Sequence, residues 1–199
     1  SSAFGCDSTV SDSVVIMPTP VPVIVGSDTV CQNKITSYSI TPEAGHSYLW
    51  NISGGAIIGS NTGTSINVLW GSPANGSVSV TQTSAFGCDS TVSIGVVLII
   101  STPMPVIVGD DSTCENKIYT YNVASPTSGH TYAWSVTGGT ILGNNTDSAV
   151  TVIWGATGTA TIQLTQTSEF GCDSTVSETI IIMPTPVPVI VGSDTVCQN

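Results

Sequence analysis

Apolar and polar residues alternate along most of the chain, and nowhere do apolar residues recur at the three-to-four spacing of an amphipathic helix. Tyr48, Trp50 and Ile52 fall on one face of an extended segment, as do Ile66, Val68 and Trp70. The pattern returns at Tyr132, Trp134 and Val136 and again at Val150, Val152 and Trp154. These faces are the predicted core. With the turn residues between them, the alternation predicts seven strands in the first half of the chain, over 21–25, 35–41, 47–53, 56–58, 65–70, 77–83 and 91–100. Gly54-Gly55 and Gly138-Gly139 supply the positive φ of a hairpin. The expected class is all-β, a sandwich of short strands.

The pattern repeats. The segment 17–33 is identical to 183–199, an offset of 166, and an intermediate copy lies halfway. Cys31, Cys114 and Cys197 are 83 residues apart, whereas Trp50/Trp134, Trp70/Trp154 and His46/His130 are 84 apart. The unit is therefore about 83 residues. The expected division is 1–17 as the last strands of a preceding repeat, 18–100 and 101–183 as two whole repeats, and 184–199 as the first strand of a following one. On this reading the parent protein continues at both ends. The proline-rich segments 18–22 and 102–105 fall between repeats, where proline stiffens the junction without letting a sheet run through it.

Composition narrows the function. Only Lys34 and Lys117 oppose thirteen carboxylates, for a net charge of −11, the reverse of what a phosphate-binding surface needs. Nucleic acid and anionic membrane are excluded as partners. The longest apolar runs, such as 96–100 and 187–191, are far short of the roughly 20 residues that span a bilayer, so no membrane insertion is expected. The low charge is made up by Ser, Thr, Asn and Gly. No nucleophile elbow, phosphate loop or metal triad appears, and an enzyme has no reason to carry its site in every copy. The chain reads as non-catalytic.

The residues also resemble a family. Val30-Cys31-Gln32-Asn33, Tyr48-Leu49-Trp50-Asn51-Ile52-Ser53-Gly54-Gly55, Ile66-Asn67-Val68-Leu69-Trp70-Gly71 and Val78-Ser79-Val80-Thr81-Gln82-Thr83 leading to Phe86-Gly87-Cys88 are similar to the PKD-like and immunoglobulin-like repeats of very large Bacteroidota surface proteins, including gliding-motility adhesins of the SprB type. The resemblance covers the whole chain. It implies tandem immunoglobulin-like (PKD-like) β-sandwiches on an extracellular bacterial surface, exported by type IX secretion. Because such repeats also occur in multidomain secreted enzymes, it indicates the fold more sharply than the function.

Six cysteines fall into two classes: Cys31, Cys114 and Cys197 after the first strand, and Cys6, Cys88 and Cys172 in a Phe-Gly-Cys sequence after the sixth. Their even number and regular spacing point to disulfides rather than to zinc. A sandwich puts the two classes at opposite ends. Seven strand residues at about 3.3 Å each leave a gap of roughly 23 Å, beyond the ~4.4 to 6.8 Å that a disulfide spans between Cα atoms. In a head-to-tail array Cys31 would instead reach Cys172. The alternatives are a Cys31–Cys88 bond within one repeat, or free thiols.

Eight of nine aspartates precede Ser or Thr and then Val, Ala or Thr. The hydroxyl residues are Ser8, Ser13, Thr29, Ser90, Ser112, Ser148, Ser174 and Thr195. This looks like the Asp-Ser/Thr-apolar acceptor of the Bacteroidota periplasmic O-glycosylation system. The competing explanation is that Asp-Ser and Asp-Thr are common turn dipeptides, copied with the repeat. Asp12 and Asp147, however, lie outside the repeated positions and still comply. The Asn-x-Ser/Thr matches at Asn51, Asn75 and Asn144 are taken as chance in a bacterial protein.

No cofactor is expected. A structural calcium is the lesser reading, since the carboxylates are dispersed and Asp110-Asp111 is the one adjacent pair. His46 and His130 read as loop histidines that open the third strand. The tryptophans belong to the core rather than to a sugar-stacking platform. Phe4, Phe86 and Phe170, at a hairpin tip, are candidates for packing against a neighbouring repeat. Two functions remain. One is a structural or adhesive stretch of a long cell-surface filament, with neighbouring repeats, surface polysaccharide or other cell-surface proteins as partners. The other is a spacer or glycan-binding module of a secreted polysaccharide-degrading enzyme.

Overall fold

A computed structural model describes residue 4, residues 9–192 and residue 195. The described chain contains strands and turns and no helix. It divides into two compact units, 1–100 and 101–199. In the first, β1 (Thr29–Cys31), β2 (Ile35–Ser39), β3 (Ser47–Ser53), β4 (Gly55–Ile58), β5 (Ser65–Trp70), β6 (Asn75–Thr83) and β7 (Asp89–Ile100) form two sheets, β2-β5-β4 and β1-β7-β6-β3. In the second, β8 (Ile107–Val108), β9 (Ser112–Cys114), β10 (Ile118–Val123), β11 (Thr131–Thr137), β12 (Gly139–Leu142), β13 (Ala149–Trp154), β14 (Gly158–Thr167) and β15 (Asp173–Met183) form β12-β13-β10-β8 and β11-β14-β15-β9. Each unit is a β-sandwich of immunoglobulin type.

The alternating residues meet between the sheets as predicted. In the first unit, Tyr38, Ile66, Val68 and Trp70 face Trp50, Val78, Val80, Val97 and Ile99, all buried. Tyr121, Val150, Val152 and Trp154 face Trp134, Ile162, Leu164 and Ile180 in the second. A buried indole needs a partner for its N–H. Trp50 Nε1 donates to the Gly63 carbonyl at 2.8 Å, and Trp134 Nε1 to that of Asp147 at 2.9 Å. Trp154 Nε1 donates to the Tyr121 hydroxyl at 3.1 Å. Tyr38 and Trp70 meet edge to face, with ring centroids 6.1 Å apart, and Tyr121 and Trp154 do so at 6.0 Å.

The first strand differs from the expectation. The stretch 21–25 makes a single bridge, Val25 to Ser39, and the first strand is Thr29–Cys31. Proline is the reason. Pro20 and Pro22 point inward and are buried, with Ile24 partly buried after them, while Val21, Val23 and Val25 are exposed, so the alternation is real but two of its inner positions cannot donate to a ladder. In the second unit Pro103 and Pro105 are likewise buried with Met104 and Val106 outside, but there the stretch ends in the two-residue strand β8, paired with β10.

Sheet register then sets the two ends of each unit. β1 runs parallel to β7, with Thr29, Val30 and Cys31 beside Leu98, Ile99 and Ile100. β9 runs parallel to β15, with Cys114 beside Met183. The long last strand begins at the β6–β7 or β14–β15 hairpin and ends next to Cys31 or Cys114. The chain therefore passes from the hairpin end of a unit to its far end.

Candidate functional site

The two ends hold most of the residues singled out by the sequence. At the hairpin end of the first unit the turn 84–88 closes with Ser84 N–H donating to the Cys88 carbonyl at 2.8 Å. Cys88 N–H donates back to Ser84 Oγ at 3.2 Å, and Gly87 takes φ 82°. The second unit reproduces this turn at Ser168 and Cys172, at 2.8 and 3.1 Å, with Gly171 at φ 78°. The far ends match as well. Gln32 N–H donates to Ile100 and Glu115 N–H to Met183, while Asn33 and Asn116 each adopt φ 58° and donate to the Trp70 and Trp154 carbonyls. Backbone geometry thus makes Cys88 equivalent to Cys172 and Cys31 equivalent to Cys114.

Their chemical states differ. Cys31 and Cys172 are disulfide-bonded, and Cys88 and Cys114 are free thiols. Cys6 and Cys197 lie outside the described residues. The alternative of a bond between Cys31 and Cys88 is overturned: Cys31 sits at one end of β7 and Cys88 just beyond the other. Over that length, at about 3.3 Å per residue, they are more than about 30 Å apart. The same strand length separates Cys114 from Cys172. The reading that all the cysteines are free thiols fails at Cys31 and Cys172.

Beside the hairpin each loop histidine meets a buried glutamine, a pairing the sequence did not mark. Gln82 is 1% exposed on β6, and its Nε2 is 2.6 Å from His46 Nδ1. Gln166 Nε2 and His130 Nδ1 are 2.8 Å apart. In both units the histidine satisfies a buried amide, a structural role. The first unit adds Glu43 Oε2 at 3.2 Å from His46, where the second has Thr127. His46, Glu43, Ser84 and Phe86, with Pro18 and Pro20 opposite, line a cleft of about 350 Å³. Phe86 is 70% exposed there, and Phe4 and Phe170 are also exposed.

The candidate glycan acceptors cluster at strand starts. Thr29 and Ser112 stand at the beginning of β1 and β9, Ser90 and Ser174 at the second residue of β7 and β15, and Ser148 just before β13. Ser13, Ser112, Ser148 and Thr195 are exposed, whereas Thr29, Ser90 and Ser174 are half-buried. Ser8 lies outside the described residues. Asp28 and Asp111 use their carbonyls to receive the Leu98 and Ile181 N–H groups at 2.7 and 2.8 Å. These aspartates thus begin strands whatever their hydroxyl neighbours do. Among the described residues no three His, Cys, Asp or Glu side chains gather as metal ligands.

Residues 17–96 and 101–182 each match the family described as PKD-like domain. No curated protein matches the chain in sequence. Among solved structures, the fibronectin(III)-like modules of Clostridium thermocellum CbhA are similar over 86% of this chain and 100% of theirs, at 9% identity and a TM-score of 0.40. Murine CEACAM1b is similar over 81% of this chain and 100% of its own, at 13% identity and 0.32. Bacteroides ovatus SGBP-B, solved in complex with a mixed-linkage heptasaccharide, is similar over 86% of this chain and 46% of its own, at 12% identity and 0.26.

Proposed function

Because this chain belongs to the PKD-like domain family, we propose that it is a non-catalytic, load-bearing and adhesive stretch of a secreted cell-surface protein. Its repeats give reach and many weak contacts, in attachment or gliding, rather than one strong site. The observation that carries this reading is the parallel pairing of β1 with β7 and of β9 with β15, the last strand of each unit. Tension applied through the chain draws β1 toward the hairpin end and β7 toward the far end. All the hydrogen bonds between them are then loaded together in shear rather than peeled one at a time. Oxidised cysteines fit an extracellular compartment, where disulfides persist. Glycans on the Asp-Ser/Thr hydroxyls would keep the weakly charged surface soluble and cover strand edges. Surface polysaccharide and other cell-surface proteins are the partners this reading offers.

Single-molecule pulling tests it. A chain pulled through residues on either side of one unit is expected to unfold at a distinctly higher force than one pulled through Asn75 and Leu98, which face each other at the open end of the β6–β7 hairpin, so that its pairs are peeled one at a time. Equal forces in the two directions would sink the load-bearing reading.

A further inference from the structure

Three of the four sheet edges in each unit are blocked or cut short within that unit, and the fourth is open. At β3 the Trp50 N–H donates to the Asn61 carbonyl at 2.8 Å and the Asn61 side-chain amide donates to the Trp50 carbonyl; Trp134 and Asn145 do the same at β11. Beside β2, Val25 and Ser39 exchange bonds of 2.8 and 2.9 Å, and beside β10 lies β8, only two residues long. β1 and β9 are three residues each, and there the Cys31 carbonyl receives the Lys34 N–H while the Cys114 N–H donates to the Tyr119 hydroxyl. β4 and β12 differ. Each pairs with one neighbour, β5 or β13, and among the described residues nothing bonds to the backbone on its other side. Both lie in the middle of their units, and neither contains a charge or a proline, the usual means of blunting an edge. None of the candidate glycan acceptors falls in them. The sheet face beside the edge is apolar as well, with Ile58, Leu69 and Ile35 exposed in the first unit and Leu142 and Ile118 in the second.

We propose that β4 and β12 are self-association edges: the open edge of one copy pairs antiparallel with the same edge of a second copy, joining two sandwiches through one continuous sheet. An open edge is satisfied by N–H and C=O groups at strand spacing, so its occupant is another extended strand. A second copy of this chain presents that strand in every repeat. A chain of net charge −11 repels its own copies, and residues 55–58 and 139–142 add no charge to that repulsion. Like edges meeting antiparallel are related by a two-fold axis, so each contact closes as a pair. Two edges per chain then link pairs into larger species. Each contact is short and weak, and repetition supplies the strength. The inference does not depend on the load-bearing reading, since edges pair whether or not the chain carries force.

Sedimentation velocity of the full chain tests it, with free thiols alkylated so that no disulfide forms between copies. The parent is expected to show dimers and larger species that grow with concentration. Ile58→Glu with Leu142→Glu places like charges at both edges and is expected to weaken association by about tenfold or more. Ile35→Glu with Ile118→Glu alters the same apolar faces on β2 and β10, which β5 and β13 separate from the edge, and is expected to leave association unchanged. Tryptophan emission confirms that each variant is folded, since Trp50, Trp70, Trp134 and Trp154 are all in the cores. Hydrogen exchange on the parent gives an independent readout: peptides covering 55–58 and 139–142 are expected to exchange more slowly at high than at low concentration. A parent that stays monomeric at every concentration would overturn the proposal. So would association that survives the edge substitutions but not those on β2 and β10, or exchange at β4 and β12 that stays the same in the associated protein.

Discussion

A Cβ placed on Gly26 would stand 2.1 Å from Cδ1 of Tyr38, inside the ring's van der Waals surface. Gly109 lies over Tyr121 in the same way, at 2.2 Å. The backbone rests on the tyrosine face while the hydroxyl donates to the Ser27 or Asp110 carbonyl. Gly26→Ala and Gly109→Ala are each expected to destabilise their unit by about 1–3 kcal/mol or more, the range for overpacking. Gly95→Ala, with nothing within 4 Å of the added carbon, is expected to stay within about 0.5 kcal/mol of the parent. Urea denaturation of the three variants checks this.

The same tyrosine couples stability to alkaline pH. Burial pushes the Tyr38 phenol from 10.0 up to about 12, with the Trp70 ring opposing the shift and the Asp28 carboxylate adding to it. Burial raises Tyr121 as well. Below about pH 10 folded and unfolded chains both hold the proton, and the contribution is fully present. Between 10 and about 12 the unfolded chain releases a proton that the folded chain keeps, so stability falls as pH rises. Denaturation midpoints measured through that window are expected to fall less steeply for Tyr38→Phe than for the parent. Parallel slopes would contradict the assignment.

His46 and Gln82 are expected to be energetically coupled. Removing the ring by His46→Ala leaves a buried amide without its partner, at a cost of about 1–3 kcal/mol. In a double-mutant cycle with Gln82→Ala the coupling is expected to reach about 0.5 kcal/mol or more. His130 with Gln166 gives an independent copy of the measurement in the second unit.

If the Asp-Ser/Thr sequences are acceptors used on the folded protein, occupancy should follow exposure. Protein taken from its native cells is expected to carry more sugar at Ser112 and Ser148 than at the half-buried Ser90 and Ser174. Peptide mass mapping that found the reverse order, or bare hydroxyls throughout, would remove glycosylation from the proposed function.

How much of this was legible in the sequence depended on the range of the signal. Tyr48, Trp50, Ile66, Val68 and Trp70 announced their faces because period-two alternation is local and their strands are five or more residues long. Thr29–Cys31 stayed hidden: it is three residues long, buries only Val30, and is held by a partner strand some seventy residues away. The stretch 21–25 was expected as a strand because it alternates, but prolines, which cannot donate to a ladder, interrupt it and leave a single bridge from Val25 to Ser39. The pairing of His46 with Gln82 joins residues 36 apart in sequence through tertiary register, and no spacing rule marks it. Cysteine geometry was legible, because strand length alone separates the two classes.

Each repeat takes the chain in at one pole and releases it at the other, and among the described residues each named strand pairs inside its own repeat. In the gene, a whole repeat can therefore be gained or lost by recombination without changing the partners of any remaining strand. The identical segments 17–33 and 183–199 show how similar such tracts can be. The number of repeats becomes a heritable setting for length that selection can adjust without redesigning the fold.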